Sequence, residues 1–332
     1  MSTMKAVVAK TPGAPLVMIE REIPAPGENE VLIKVEACGI CRGDAATKDA
    51  RHGIALPRVP GHEVVGTIAS IGPTGSRFAV GQRVGVGWRA GACRKCDNCR
   101  AGKLAACTNM LVTGQSIDGG YAEYMIGHED GLVTIPEGIA SADAAPLLCA
   151  GRTTFSSLRT AGAAKGDLVA VHGIGGLGHL AIQYAARLGC RVVALSHGNS
   201  KEALARSLGA EFYINTSDSD PVAALKALGG PKVLVCTAPN AKEISRLIPG
   251  IGRSGHMVII GSTEEPLTVP GHALIAGLTM SGSGRTTIDE ALRFSAETGV
   301  RPMIETFPLA EAAKGFDKMM DSTVHFRAVL TM

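Results

Sequence analysis

The sequence predicts an α/β chain in two parts, an irregular antiparallel β region followed by a doubly wound parallel sheet, with a last segment that returns to the first part. Three observations carry this. Up to about Ile126, apolar runs such as Val31-Leu32-Ile33-Lys34-Val35 and Val64-Val65-Gly66-Thr67-Ile68 are short and broken by Gly and Pro, the texture of turn-rich β structure. After Pro146, buried-strand runs alternate with helical patterns, as in parallel βα units. Between the first of those strands and its helix stands a glycine-rich turn. At 332 residues the chain can bury two cores, and the expected limits are 1–147 for the first part, 148–285 for the parallel sheet and 286–332 for the returning segment.

The parallel part opens on a strand at Leu168 to His172 and a helix at Leu177 to Leu188. Strands at Val192 to Leu195, Phe212 to Ile214, Val233 to Cys236 and Met257 to Ile260 then alternate with helices at Lys201 to Leu208, Pro221 to Leu228 and Ala241 to Leu247. Such repetition builds a doubly wound sheet. The last segment offers a helix around Asp289 to Glu297 and a final strand at Phe326 to Leu330.

Hydrophobic residues make up 45% of the chain and charged ones 19%, and the net charge of +3 includes no dense Lys/Arg run. Nucleic acid is therefore not an expected partner. The first residues read as a strand-like alternation, and no stretch is apolar and long enough for a bilayer. The expectation is a cytoplasmic protein without membrane association. In a long chain of that kind, nine cysteines suggest metal binding more than disulfides.

Cys93, Cys96 and Cys99, with Cys107 eight positions on, place four thiols in one short segment. Four thiolates complete the tetrahedral shell of Zn²⁺ at ~2.3 Å and leave no position for chemistry, so this set reads as a structural staple. Arg94, Lys95, Arg100 and Lys103 are close enough to offset its charge. Disulfides or unrelated thiols are the competing reading.

Cys41, His62 and Cys149 are separated in sequence but form a second candidate set. Two thiolates and an imidazole leave a fourth zinc position open, where the ion acts as a Lewis acid. Asp44 and Glu63 are suited to orient His62 or balance the ion. Taken singly, each of the three also reads as a core thiol or a satisfied histidine, and Cys38 competes as a ligand through its C-x-x-C step to Cys41.

The turn Gly173-Ile174-Gly175-Gly176-Leu177-Gly178 follows a predicted strand and opens a predicted helix. In that setting the glycines make a tight turn, admit a dinucleotide pyrophosphate and aim the helix N-terminus at it. Where a carboxylate after the next strand would select NAD, the chain reads Ser196-His197-Gly198-Asn199-Ser200-Lys201. Ser196 removes the repulsion of a 2′-phosphate, and Lys201 and His197 offer it partners. NADP(H) is the expected cofactor over NAD(H); the plainer alternative leaves Lys201 solvated in a first helical turn.

With these motifs in this order, the chain resembles the zinc-dependent medium-chain dehydrogenase/reductase family over nearly its whole length, particularly its short microbial alcohol dehydrogenases. The resemblance implies a GroES-like first domain, a Rossmann domain and two zinc ions per chain. It places Cys41, His62 and Cys149 on the catalytic zinc ligands, Glu63 and Asp44 on supporting acids, and Cys93, Cys96, Cys99 and Cys107 on the structural zinc. It also gives Arg42 and Arg327 to the cofactor pyrophosphate, Thr153 to the nicotinamide ring and Trp88 to the wall of the substrate pocket, with dimers or tetramers as the expected assemblies.

Two positions depart from that pattern. Gly43 stands where the family usually has a serine or threonine that takes the substrate proton, and Ala46 where a histidine often completes the relay. Water, a ribose hydroxyl or His52 would then have to move the proton. Lys48 and His52 are expected near a less apolar pocket. The expected activity is hydride transfer between NAD(P)H and an aldehyde or primary alcohol, favouring aldehyde reduction. Reduction of an activated C=C or C=N bond is the alternative, and a non-catalytic binding protein the remote one.

Overall fold

The computed structural model describes residues 2–261, 263–284 and 286–332. Two compact units divide the chain, one of residues 1–149 and 303–332, the other Ala150–Pro302.

The first unit is built around strand Glu30–Ile40, whose apolar residues Val31, Ile33, Val35, Cys38 and Ile40 enter the core. It pairs antiparallel with Val64–Ile71, Tyr124–His128 and Arg327–Thr331. Irregularities after Leu32 and Val35 let this long strand bend. Strand Ile304–Pro308 adds in parallel beyond Arg327–Thr331, while Arg83–Val86 and Leu132–Thr134 extend the other side. Register fixes what emerges at one end of the sheet. Cys38 faces Val64, and Ala328 faces Ile40, so Cys41, the His62-Glu63 pair and Arg327 all leave the sheet together.

The second unit has a parallel sheet in the order Phe212–Asn215, Arg191–Ser196, Leu168–His172, Val233–Cys236, His256–Ile259, Thr279–Ser281 among the described residues. Numbered along the chain this is 3-2-1-4-5-6, the doubly wound dinucleotide-binding order. The central strands are buried throughout, which explains their unbroken apolar reading. Two of its helices begin where a side chain satisfies a free amide. Asp220 accepts from Val222 N at 3.1 Å, with Pro221 next to it, and Asn240 accepts from Glu243 N at 3.1 Å.

The returning segment begins later than the expected residue 286. Helix Ile288–Thr298 groups with the second unit, where Ser295 hydrogen-bonds Tyr184 Oη at 2.7 Å and Phe294 stacks 5.0 Å from Phe155. Those aromatic contacts are long-range, so amphipathicity alone did not assign them. Helix Arg152–Thr160 and the strands Thr279–Ser281 and Ile304–Pro308 were also not read from the sequence.

Candidate functional site

Cys41 ends the central strand and caps a short 3-10 turn, Arg42–Asp44. Asp44 N donates to Cys41 O at 2.9 Å, and Cys41 N donates back to Asp44 Oδ2 at 3.0 Å. The turn therefore fixes Cys41 and Asp44 as a unit. Asp44, 2% exposed, also accepts from Tyr121 Oη at 3.0 Å and from Gly61 N at 3.3 Å. Its Oδ1 lies 2.8 Å from His62 Nδ1, which sets the ring so that Nε2 points the other way.

His62 Nε2 is buried without a hydrogen-bond partner. Around it, the ligand atoms of Cys41, His62, Glu63 and Cys149 all lie within 4.8 Å of one another. A buried imidazole nitrogen left open amid two sulfurs and a carboxylate fits a zinc ion and no ordinary core histidine. Cys149 reaches this point from a π-helical turn, Leu147–Gly151, of the kind often found at functional sites. A hydrogen bond from Cys149 lowers Cys41 well below the usual thiol range, against burial, and the same contact raises Cys149. Burial alone would depress His62, yet Asp44 and Cys41 raise it.

Glu63 is fully buried, and burial pushes it up to about 7 despite its ion pair with Arg327. Arg327 Nη2 lies 2.5 and 2.6 Å from the two Glu63 oxygens, with the side chain 7% exposed. The sheet register brings these two side chains together at the same end, so Arg327, expected at the cofactor, is engaged by Glu63 here. Gly39 makes room for that carboxylate, since a Cβ there would lie 1.9 Å from Glu63 Oε2.

The four cysteines at 93–107 also converge, with all four sulfurs within 4.8 Å. Cys96 Sγ is 3.5 Å from Cys99 Sγ and 4.0 Å from Cys107 Sγ. A tetrahedron with ~2.3 Å bonds has edges of about 3.8 Å, so the spacing fits zinc and is far from a disulfide bond. Cys38 stands outside both groups: it is fully buried, its sulfur near the backbones of Gly61 and Gly120.

In the second unit, Gly173 takes the left-handed conformation with φ 88°, and a Cβ at Gly178 would fall 1.9 Å from Gly173 O. Neither position tolerates a side chain. A Cβ at Gly175 would meet nothing within 4 Å, which leaves an open backbone face fitted to a pyrophosphate at the start of helix Gly178–Arg187. Gly176 and Leu177 complete the turn. Thr237, which sequence reasoning missed, braces it through hydrogen bonds from Oγ1 to His172 O at 3.0 Å and Gly173 O at 2.9 Å. Ser196 ends strand Arg191–Ser196, and Lys201 Nζ donates to Ile174 O at 2.8 Å, so the amine lies over the glycine turn and is not free in solvent. Thr153 lines a recess of about 450 Å³ with Ile259, Ile260, Gly261 and Ser283.

Arg42 is exposed and donates to Met320 O at 3.1 Å. Lys48 donates to Gly13 O at 2.8 Å and lies 6.0 Å over the Phe316 ring. His52 is exposed on the turn Arg51–Gly53, with φ 56°. Trp88 meets His62 edge-on, ring centroids 4.8 Å apart at 84°.

Known proteins agree with this geometry. Residues 27–137 match the alcohol dehydrogenase GroES-like domain, and residues 176–297 match the zinc-binding dehydrogenase domain. The chain is 41% identical to the alcohol dehydrogenase notN of Aspergillus sp. (strain MF297-2), across 99% of this chain and 98% of the relative. It is 35% identical to the NADP-dependent alcohol dehydrogenase C 1 of Mycolicibacterium smegmatis, across 99% and 98%. The solved cinnamyl alcohol dehydrogenase SbCAD4 of Sorghum bicolor superposes with a TM-score of 0.86 at 30% identity, covering 99% of this chain and 98% of that one. The chain belongs to the zinc-dependent medium-chain dehydrogenase/reductase family. It is an NAD(P)-linked oxidoreductase that acts on small-molecule alcohols and aldehydes.

Proposed function

We propose that this enzyme is an NADP(H)-preferring aldehyde reductase whose reacting centre is the Cys41, His62 and Cys149 set. The observation that carries the reading is the orphaned His62 Nε2 among two thiols and Glu63. Zinc held there supplies Lewis-acid polarisation of a carbonyl or alcohol oxygen. Asp44 holds the imidazole in one tautomer, and the 3-10 turn keeps Cys41 in step with it. Glu63 and Arg327 set the charge around the thiolates and balance each other as a buried ion pair. The Cys93, Cys96, Cys99 and Cys107 set is assigned to a second zinc with no part in the chemistry.

The cofactor assignment rests on Ser196 and Lys201, and the 35% identical relative named as NADP-dependent supports it. Gly43 offers no hydroxyl to take the proton of an alcohol, which favours the reductive direction. The family resemblance supports a homodimer or homotetramer, and two reduced cysteine sets suit the cytoplasm. One experiment tests the whole: metal content, then product analysis with benzaldehyde and cinnamaldehyde under NADH and NADPH. The expected result is about two zinc per chain and alcohol products, faster with NADPH. A saturated aldehyde from cinnamaldehyde would overturn the reading in favour of C=C reduction, and native mass spectrometry gives the assembly.

A further inference from the structure

Four groups converge on the Asp44 carboxylate. Its Oδ1 faces His62 Nδ1 at 2.8 Å and the Gly61 amide at 3.3 Å, and its Oδ2 takes the Cys41 amide and the Tyr121 hydroxyl, each at 3.0 Å. A carboxylate offers about four acceptor sites, so this one is saturated. Two of the four groups are backbone amides and a third is an imidazole of the proposed metal set. Tyr121 supplies the fourth, from a side chain that is fully buried.

The phenol is delivered by a close approach of two segments. Residues 119–121 run beside 59–61, with Gly119 N donating to Val59 O at 2.8 Å, Gly120 N to Gly61 O at 3.0 Å and Tyr121 N to Pro60 O at 3.1 Å. Tyr121 O in turn accepts from Val7 N at 2.8 Å, on strand Thr3–Val8. The approach requires glycine. A Cβ at Gly61, where φ is 99°, would fall 2.4 Å from Tyr121 Cδ1, and one at Gly119 would fall 2.2 Å from Gly61 O. The segment that leads into His62 is thus also the seat of the Tyr121 ring. Burial and the Asp44 charge raise the phenol well above its ordinary range, which keeps the hydroxyl a donor.

We infer that Tyr121 is a positioning residue for the metal ligands, whose hydroxyl fixes the rotation of the Asp44 carboxylate and through it the His62 ring and the Cys41 turn. Without the phenol, Oδ2 is left with the amide of a turn whose own place depends on Asp44, so carboxylate and turn can swing together. Tyr121, anchored at Pro60 and Val7, ties both to the surrounding strands. Metal sites need their ligands held to within about half an ångström. The inference rests on the metal site proposed above.

Tyr121→Phe removes one oxygen and leaves the ring. The test compares Tyr121→Phe, Asp44→Asn and the double variant as zinc-loaded full chains, each checked by thermal melting. It reads the release of each zinc to a chelator and the visible absorption of the cobalt-substituted chains. Tyr121→Phe is expected to speed loss of one zinc by about tenfold and to shift the cobalt bands, while the cysteine-rich zinc stays. The double variant is expected to release that zinc no faster than Asp44→Asn, because the hydroxyl acts only through the carboxylate.

Unchanged release and spectrum in Tyr121→Phe would overturn the inference and leave the residue a filler of the core. Effects that multiply in the double variant, or equal loss of both ions, would overturn it too. The wild-type chain supplies a second reading. Labelled with 3-fluorotyrosine at its four tyrosines, it is expected to shift one fluorine resonance when zinc is withdrawn from the His62 set. An unshifted spectrum overturns the inference even if Tyr121→Phe does not fold. A wild-type chain that holds only one zinc would instead overturn the metal-site reading, which separates the two failures.

Discussion

Asp44 grips His62 Nδ1 at 2.8 Å with an oxygen that also takes the Gly61 amide, while its other oxygen takes Tyr121 Oη and the Cys41 amide. One carboxylate thereby joins two of the three proposed ligands. Asp44→Asn keeps the shape but replaces an acceptor with a donor at one of these contacts. The expected outcome is a loss of about 10- to 100-fold in affinity at the catalytic zinc, measured by competition with a chelator, with the cysteine-rich site unaffected. An equal loss at both sites would mean that Asp44 acts on global stability.

Glu63 and Arg327 call for a different experiment. Removing one partner of a buried ion pair strands the other, at about 3–5 kcal/mol, whereas removing both is much milder. Arg327→Met is therefore expected to destabilise the chain strongly in urea unfolding, and Glu63→Gln/Arg327→Met to recover most of the loss. If the double variant is no better than Arg327→Met, the pair is not the reason for Arg327's burial.

Cofactor choice is tested at the end of strand Arg191–Ser196. Lys201→Ala is expected to lower kcat/KM for NADPH by on the order of tenfold, the worth of one charge-assisted hydrogen bond, and to leave NADH nearly unchanged. Ser196→Asp is expected to push the preference toward NADH. Equal losses with both cofactors would reduce Lys201 to a brace for the Ile174 carbonyl.

His172 gives the second unit a pH dependence. Burial holds its imidazole below the ordinary histidine range, with Glu243 at 3.3 Å opposing. The unfolded chain takes up the proton first, near pH ~6.5, so the stabilisation is complete above that pH and is lost as pH falls through the folded value. The urea midpoint is expected to drop between pH 7 and pH 5, and His172→Gln to flatten that drop. Parallel profiles would assign the slope to other groups.

Cys96→Ser is expected to remove one zinc of about two per chain and to lower the melting temperature, while the catalytic zinc remains titratable. Retention of both ions would show that three thiolates and water suffice there.

The parts of this protein that were legible in sequence are those written locally. The Cys93 to Cys107 spacing and the glycine turn lie within single short segments, and the parallel strands announce themselves as unbroken apolar runs. What was hidden depends on distant pairing. Arg327 meets Glu63 because Ala328 registers against Ile40, and Tyr121 meets Asp44 across the sheet. Nothing near Thr237 or Thr113 marks them as supports, since each acts through backbone carbonyls remote in sequence. The Arg327 contact with Glu63 was hidden for the same reason: an arginine's chemistry suits a pyrophosphate and a carboxylate alike, and the sequence alone does not show which partners register brings to it.

The two metal sites also differ in when they can come into being. The cysteine-rich set spans a few turns of chain, so closing it costs little loop entropy and its ligands can gather as soon as that stretch leaves the ribosome. The other set draws on Cys41, His62 and Cys149 and has its charge balanced by Arg327, on the last strand of the sheet. Until that strand joins, Glu63 has no counter-ion, and the ligands around it are an unbalanced cluster of acid and thiol. The proposed catalytic set thus needs the whole first unit, its last strand included, whereas the cysteine-rich set is complete within one short segment.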